Sequence, residues 1–213
     1  MNPGSTFLSV VMILLGVCAS PADWPQFRGP QAGGVDSSAA LPTTWNVESG
    51  SNVLWKTAVP GLAHASPIVW GDRVYLATAV GPGDAELKVG LYGDIGAAED
   101  QGVHQWRLLS LDAGSGKIVW NAPGHEGVPR VKRHTKASHC NSTPATDGKR
   151  IVAIFGSEGL FCFDMEGAPL WKKDLGPMDS GFFAVPSAQW GFASSPVLHD
   201  DKVVVLCDVQ TNS

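Results

Sequence analysis

From residue 66 onward the hydrophobic residues come in short bursts separated by turn chemistry. The clearest stretch is Leu108–Trp120, LLSLDAGSGKIVW. Leu109 and Leu111 alternate with Ser110, the period of a half-buried strand. Asp112-Ala113-Gly114-Ser115-Gly116 follows as a turn, because Asp can bond its own backbone and Gly accepts a positive φ. Ile118, Val119 and Trp120 have the β-branched and aromatic character of a second strand. A shorter copy stands at Leu160–Trp171, LFCFDMEGAPLW: Asp164 matches Asp112, Gly167 falls in the turn and Trp171 matches Trp120.

A second pattern repeats as well. Ser66-Pro67-Ile68-Val69-Trp70 leads through a polar turn at Gly71–Arg73 into Val74–Ala77, which predicts a β-hairpin. Thr143-Pro144 and Ser195-Pro196 open similar hairpins through Asp147–Arg150 and Asp200–Lys202. Proline lacks an N–H and suits the first residue of a strand. Pro144 to Pro196 spans 52 residues and Trp120 to Trp171 spans 51, while the first unit carries 26 extra residues between its two hairpins. Four strands repeating at about this period are the signature of a propeller blade.

This predicts an all-β chain of four-stranded blades. A lone outer strand lies at 52–57, one blade at 66–122 with an insertion at 81–105, a second blade at 143–173, and a partial blade at 195–213. That inventory falls short of the four to eight blades of a ring and is expected of the N-terminal part of a longer propeller. Residues 23–51 read as an irregular lead-in, with Trp24 and Phe27 packed on another surface.

Composition narrows the class. Of 213 residues, 44% are hydrophobic and 16% charged, with a net charge of −5. This is a globular balance without the basic surface that nucleic acid requires. Residues 1–22 read as a signal peptide: an apolar run at Phe7–Val17 precedes Ser20-Pro21-Ala22, with small residues at the −3 and −1 positions. Export to the periplasm or the cell exterior follows. Membrane association follows only if Cys18 is lipidated, and Val17 stands where a lipoprotein signal wants a small residue. Cys140, Cys162 and Cys207 make no disulfide framework, although the residues leave a Cys162–Cys207 bridge open.

The Asp-x-x-[Ser/Thr]-Gly-x-x-x-Trp ending and the Ser-Pro hairpin opening resemble the PQQ-like (quinoprotein-type) repeat of β-propellers. The lead-in Trp24-Pro25-Gln26-Phe27-Arg28-Gly29-Pro30 is similar to the start of many exported bacterial proteins with that repeat. The resemblance implies that each blade's tryptophan docks on a neighbouring turn. The structural docking residues would be Trp55, Asp112, Gly116, Trp120, Asp164, Gly167 and Trp171. It also implies a non-catalytic module, like the outer-membrane assembly-factor propellers, that binds envelope proteins through its face loops. The alternative is part of a PQQ-dependent dehydrogenase, but the adjacent Cys-Cys pair of the alcohol dehydrogenases is absent. PQQ and calcium enter by resemblance alone, and no cofactor is predicted.

Other clusters read as ordinary surface. Asp84, Glu86, Asp94, Glu99 and Asp100 of the insertion could be calcium ligands by type, but their spacing predicts a solvated acidic loop. The basic run Arg130–Lys136 reads as a solvated inter-blade loop. His134, His139 and Cys140 are half a zinc motif. Ser66 near His64 and Ser142 near His139 are adjacent in sequence, which is no evidence for a triad. No catalytic or metal residue is predicted.

Overall fold

The computed structural model describes residues 23–37, 41–83, 87, 96–182 and 185–209. The signal segment at 1–22, the insertion's Asp84, Glu86 and Asp94, and residues 210–213 lie outside them. The first blade is a meander of four antiparallel strands, β1 (Ile68–Trp70), β2 (Arg73–Val80), β3 (His104–Asp112) and β4 (Ile118–Gly127). The second has the same order in β5 (Ala145–Thr146), β6 (Arg150–Ile154), β7 (Leu160–Asp164) and β8 (Pro169–Lys173), with a 3-10 turn at Gly156–Glu158 between β6 and β7. A small pair, β9 (Gly181–Phe182) and β10 (Val185–Gln189), lies in the connection after β8, and β11 (Val197–His199) with β12 (Lys202–Val204) forms a third hairpin. The fold is all-β, built on four-stranded antiparallel blades. Among the described residues, no helix is long and apolar enough to cross a membrane.

The second blade shows why its two middle strands carry apolar residues on both faces. Successive side chains point to opposite faces of a sheet. Ile151, Ala153, Phe161 and Phe163 face a core shared with Ile68, Ala77, Trp106 and Leu108 of the first blade. Val152, Ile154, Leu160 and Cys162 face a second core with Met178 and Phe192, against which Leu198 and Val203 of the third hairpin pack. The first blade departs from the half-buried reading. Ser110 is fully buried along with Leu109 and Leu111, so β3 is covered on both faces. In each blade the innermost strand is short and the outermost is largely exposed.

Several boundaries shift. Residues 52–57 form no strand: a strand needs a partner ladder, and here only isolated bridges, Asn46 to Ser51 and Leu62 to Ala79, flank the segment. Side chains hold it instead. The insertion ends one residue before β3, at 103, and β4 runs on to Gly127. The lead-in touches both inner strands, with Trp24 bridging Val69 and the Pro25 carbonyl accepting from the Thr146 amide at 2.8 Å. Phe27, however, is half exposed, so Trp24 alone of the two packs inward. Cys140 and Cys162 are buried free thiols and Cys207 an exposed one. A Cys162–Cys207 bridge is therefore not present.

Candidate functional site

A meander places its connections alternately at two ends. The β1–β2 and β3–β4 turns of the first blade lie at one end, as do the matching turns of the second. The insertion, the connection from β4 to β5, and the Gly156–Glu158 turn lie at the other, here called the loop end.

The turn end gathers the docking residues. Asp112 Oδ1 accepts from the Ser115 amide at 2.8 Å and the Ser115 hydroxyl at 2.6 Å. These bonds hold its carboxyl below the usual value. Asp164 Oδ1 accepts from the amides of Glu166 at 3.0 Å and Ala168 at 2.8 Å. Each carboxylate thus fixes its own turn. Trp55 packs against Gly116 and donates through Nε1 to the Ala113 carbonyl at 2.8 Å, while the Thr57 hydroxyl donates to the Gly116 carbonyl at 2.6 Å. Trp120 lies on Gly167, where a Cβ would stand 2.9 Å from the ring, and it also meets Tyr75, with ring centroids 5.8 Å apart. Trp171 meets none of the described glycine turns and is 41% exposed. One dock escaped the sequence reading: Trp70 packs on Gly148 in the β5–β6 turn, so closely that any side chain there would overlap the ring. Its signal was present, a tryptophan ending one hairpin strand and an Asp-Gly turn one repeat later.

The loop end carries a network of ion pairs, and here the solvated readings are corrected at Asp100 and Arg133, while Glu99 stays exposed. Residues 97–100 of the insertion lie on the basic run. Ala97 bridges His134, Lys132 reaches Glu99 at 2.7 Å, and Arg133 Nε donates to Asp100 Oδ2 at 2.6 Å. Arg133 is nearly fully buried and also donates to the carbonyls of Ala137 at 2.7 Å and His134 at 3.3 Å. Opposite charges from two loops cancel each other as they leave water, which is what allows a buried arginine at all. Next to them, the buried carboxylate of Glu158 accepts from the Arg130 amide at 3.0 Å and lies 3.4 Å from both Arg130 Nε and His125 Nε2. Arg130 reaches on to Asp174 at 2.7 Å.

Asp100, His104, His139 and Arg133 line a cavity of about 420 Å³ with Gly61, Leu62 and residues 79–83. His104 begins β3, and its Nδ1 bonds the Gly102 carbonyl at 2.8 Å. A Cβ at Gly81 would stand 2.8 Å from His104 Nε2, so the glycine leaves that nitrogen open. Burial lowers the His104 pKa and favours the neutral ring. The His139 carbonyl accepts from buried Trp106 Nε1 at 2.9 Å, and its ring Nε2 stands 3.3 Å from Asp100 Oδ1. Burial opposes ionisation of Asp100, but its hydrogen bonds to His139 and Arg133 and their charges prevail and hold the carboxyl well below its usual value. One ligand atom from each of Asp100, His104 and His139 lies within 4.8 Å of the other two.

The half-motif of His134, His139 and Cys140 does not assemble. The His134 ring stacks on Trp190 at 4.9 Å, and burial pushes the Cys140 thiol up to about 12, which keeps it protonated and poorly suited to a metal. Ser66 donates its backbone amide to Thr143 Oγ1 at 3.0 Å, a contact between blades. Among the described residues, cationic donors for PQQ at the cavity are few. A tricarboxylate calls for several cationic donors, and among the described lining Arg133 is the one such residue, already committed to Asp100 and two carbonyls. Calcium favours six or more oxygens, whereas this cluster offers one carboxylate and two imidazoles.

A protein-family model described as outer membrane protein assembly factor BamB, of the PQQ repeat type, matches residues 37–205. No curated protein matches the chain.

Proposed function

We propose that this chain, which belongs to the PQQ-repeat β-propeller family described as outer membrane protein assembly factor BamB, is a non-catalytic binding module of the bacterial envelope, exported by its N-terminal segment. Its contact face is the loop end. The observation that carries this reading is the anchoring of the insertion's C-terminal part: Lys132–Glu99 and Arg133–Asp100 hold residues 99 and 100 against the inter-blade connection. Propeller faces suit recognition because loops vary while the scaffold stays fixed. Glu99 and Lys132 keep enough exposure to touch a partner.

Two measurements test this. A photo-crosslinking residue at position 99 should capture an envelope protein in living cells, and the same residue at Ser115, at the turn end, should not. Equal capture from both positions, or none from position 99, overturns the contact face. Titration with PQQ and calcium should give no saturable change in quinone absorbance. Stoichiometric binding would return the chain to the dehydrogenase class.

A further inference from the structure

We propose that Asp100, His104 and His139 form a binding site for a divalent transition-metal ion, with Zn²⁺ the best match to the donor set. Two imidazoles and one carboxylate suit zinc and its neighbours, whereas hard cations prefer all-oxygen sites. The side chains are arranged as metal ligands usually are. The Nδ1 bond from His104 to the Gly102 carbonyl fixes that ring and leaves Nε2 as the nitrogen available to a metal. A backbone carbonyl on the other ring nitrogen is the usual outer support of a metal-binding histidine. Arg133 holds Oδ2 of Asp100, so Oδ1 is the oxygen turned toward His139.

The spacing is close to that of a bound site. Zinc–ligand bonds of about 2.0–2.2 Å put the donors of a tetrahedral ion roughly 3.3–3.5 Å apart. Asp100 Oδ1 and His139 Nε2 already stand at 3.3 Å. All separations in the cluster are within 4.8 Å, so His104 closes by no more than about 1.5 Å to complete the set. Three protein ligands leave a fourth position facing the cavity, where water or an oxygen-donor ligand would sit. The ion would join the insertion through Asp100, the blade through His104 and the inter-blade connection through His139.

The test uses the full chain, stripped with a chelator and titrated with CoCl₂. One Co²⁺ per chain should bind with visible d–d bands of low-coordinate cobalt, and one equivalent of ZnCl₂ should displace it. His104→Gln should weaken binding at least about tenfold. His199→Gln, which alters an exposed histidine beside Asp200, should leave it unchanged. Absence of saturable bands, unchanged affinity in His104→Gln, or loss in His199→Gln overturns the site. If His104→Gln fails to fold, hydrogen exchange of the wild-type chain decides: Zn²⁺ should protect amides at 96–106 and 137–141. Protection elsewhere, or none, shows that the cluster is a structural ion-pair network only.

Discussion

At the turn end, Trp70 and Trp120 of the first blade lie on Gly148 and Gly167 of the second. At the loop end the chain is tied by Arg133 to Asp100, Arg130 to Glu158, and Trp106 to the His139 carbonyl. The turn-end contact asks only for an aromatic ring and a residue without a side chain, and every blade can repeat it. The loop-end contact depends on one insertion, one inter-blade connection and charges that meet once. Repetition therefore builds the scaffold, and the unrepeated end is free to acquire chemistry. The family relationship describes the first and says little of the second.

The largest expected effect is at the loop end. Trp106 is fully buried and its indole N–H satisfies the His139 carbonyl. Trp106→Ala should cost about 3–5 kcal/mol, the usual loss for emptying an aromatic core site, read as a lower urea midpoint at unchanged slope. A loss under about 1 kcal/mol would mean the cavity collapses freely. Arg133→Met should cost about 3 kcal/mol, because it leaves the Asp100 carboxylate without its cation; Asp100 keeps some exposure, which places the value at the low end for a broken buried pair. Hydrogen exchange should show residues 96–103 opening while the blades stay protected. If the insertion stays closed, its anchoring by charge is wrong.

Effects at the turn end should be smaller. Trp120 is only partly buried, so Trp120→Ala should cost about 2–3 kcal/mol rather than the full core value, measured by thermal unfolding. Gly167→Ala follows. Its φ of 84° costs an alanine about 1–2 kcal/mol, and the new Cβ also meets the Trp120 ring. Gly176→Ala provides the comparison, since that residue has φ 78° and nothing within 4 Å of a Cβ. A greater loss at 167 than at 176 isolates the dock from the backbone cost. Equal losses would show that the ring simply moves aside.

The turn end was legible because its signals are local. Asp112 and Gly116, or Asp164 and Gly167, lie within one turn, and Trp120 and Trp171 return at the blade period. Alternation along a strand then assigns faces, although the burial of Ser110 shows that alternation cannot say whether the polar face is also covered. The loop end was not legible. Asp100 and His139 are 39 residues apart, and Arg130 and Glu158 are 28 apart. Only the stacking of blades brings them together, and a charge run in sequence looks the same whether solvated or paired. The segment at 52–57 fell between these cases. Its Trp55 matched a docking position by resemblance, but a strand is a property of two segments side by side, and residue type at one of them does not supply the other.

The smallest expected effect is the sharpest check on what repetition provides. Trp171 occupies the same repeat position as Trp120, yet it rests on no described glycine turn and lies beside Leu170 in an outer strand exposed along its length. It borders a groove of about 410 Å³ with Leu198 and Val203, so its ring has neighbours without being enclosed. Trp171→Ala in this 213-residue chain should therefore shift stability by no more than about 0.5 kcal/mol, as surface substitutions do. Measured beside Trp120→Ala in the same urea series, it separates the residue from its setting. Similar losses at both positions would place the stabilisation in the tryptophan and its own blade. A large loss at 120 with almost none at 171 would place it in the turn that receives the ring.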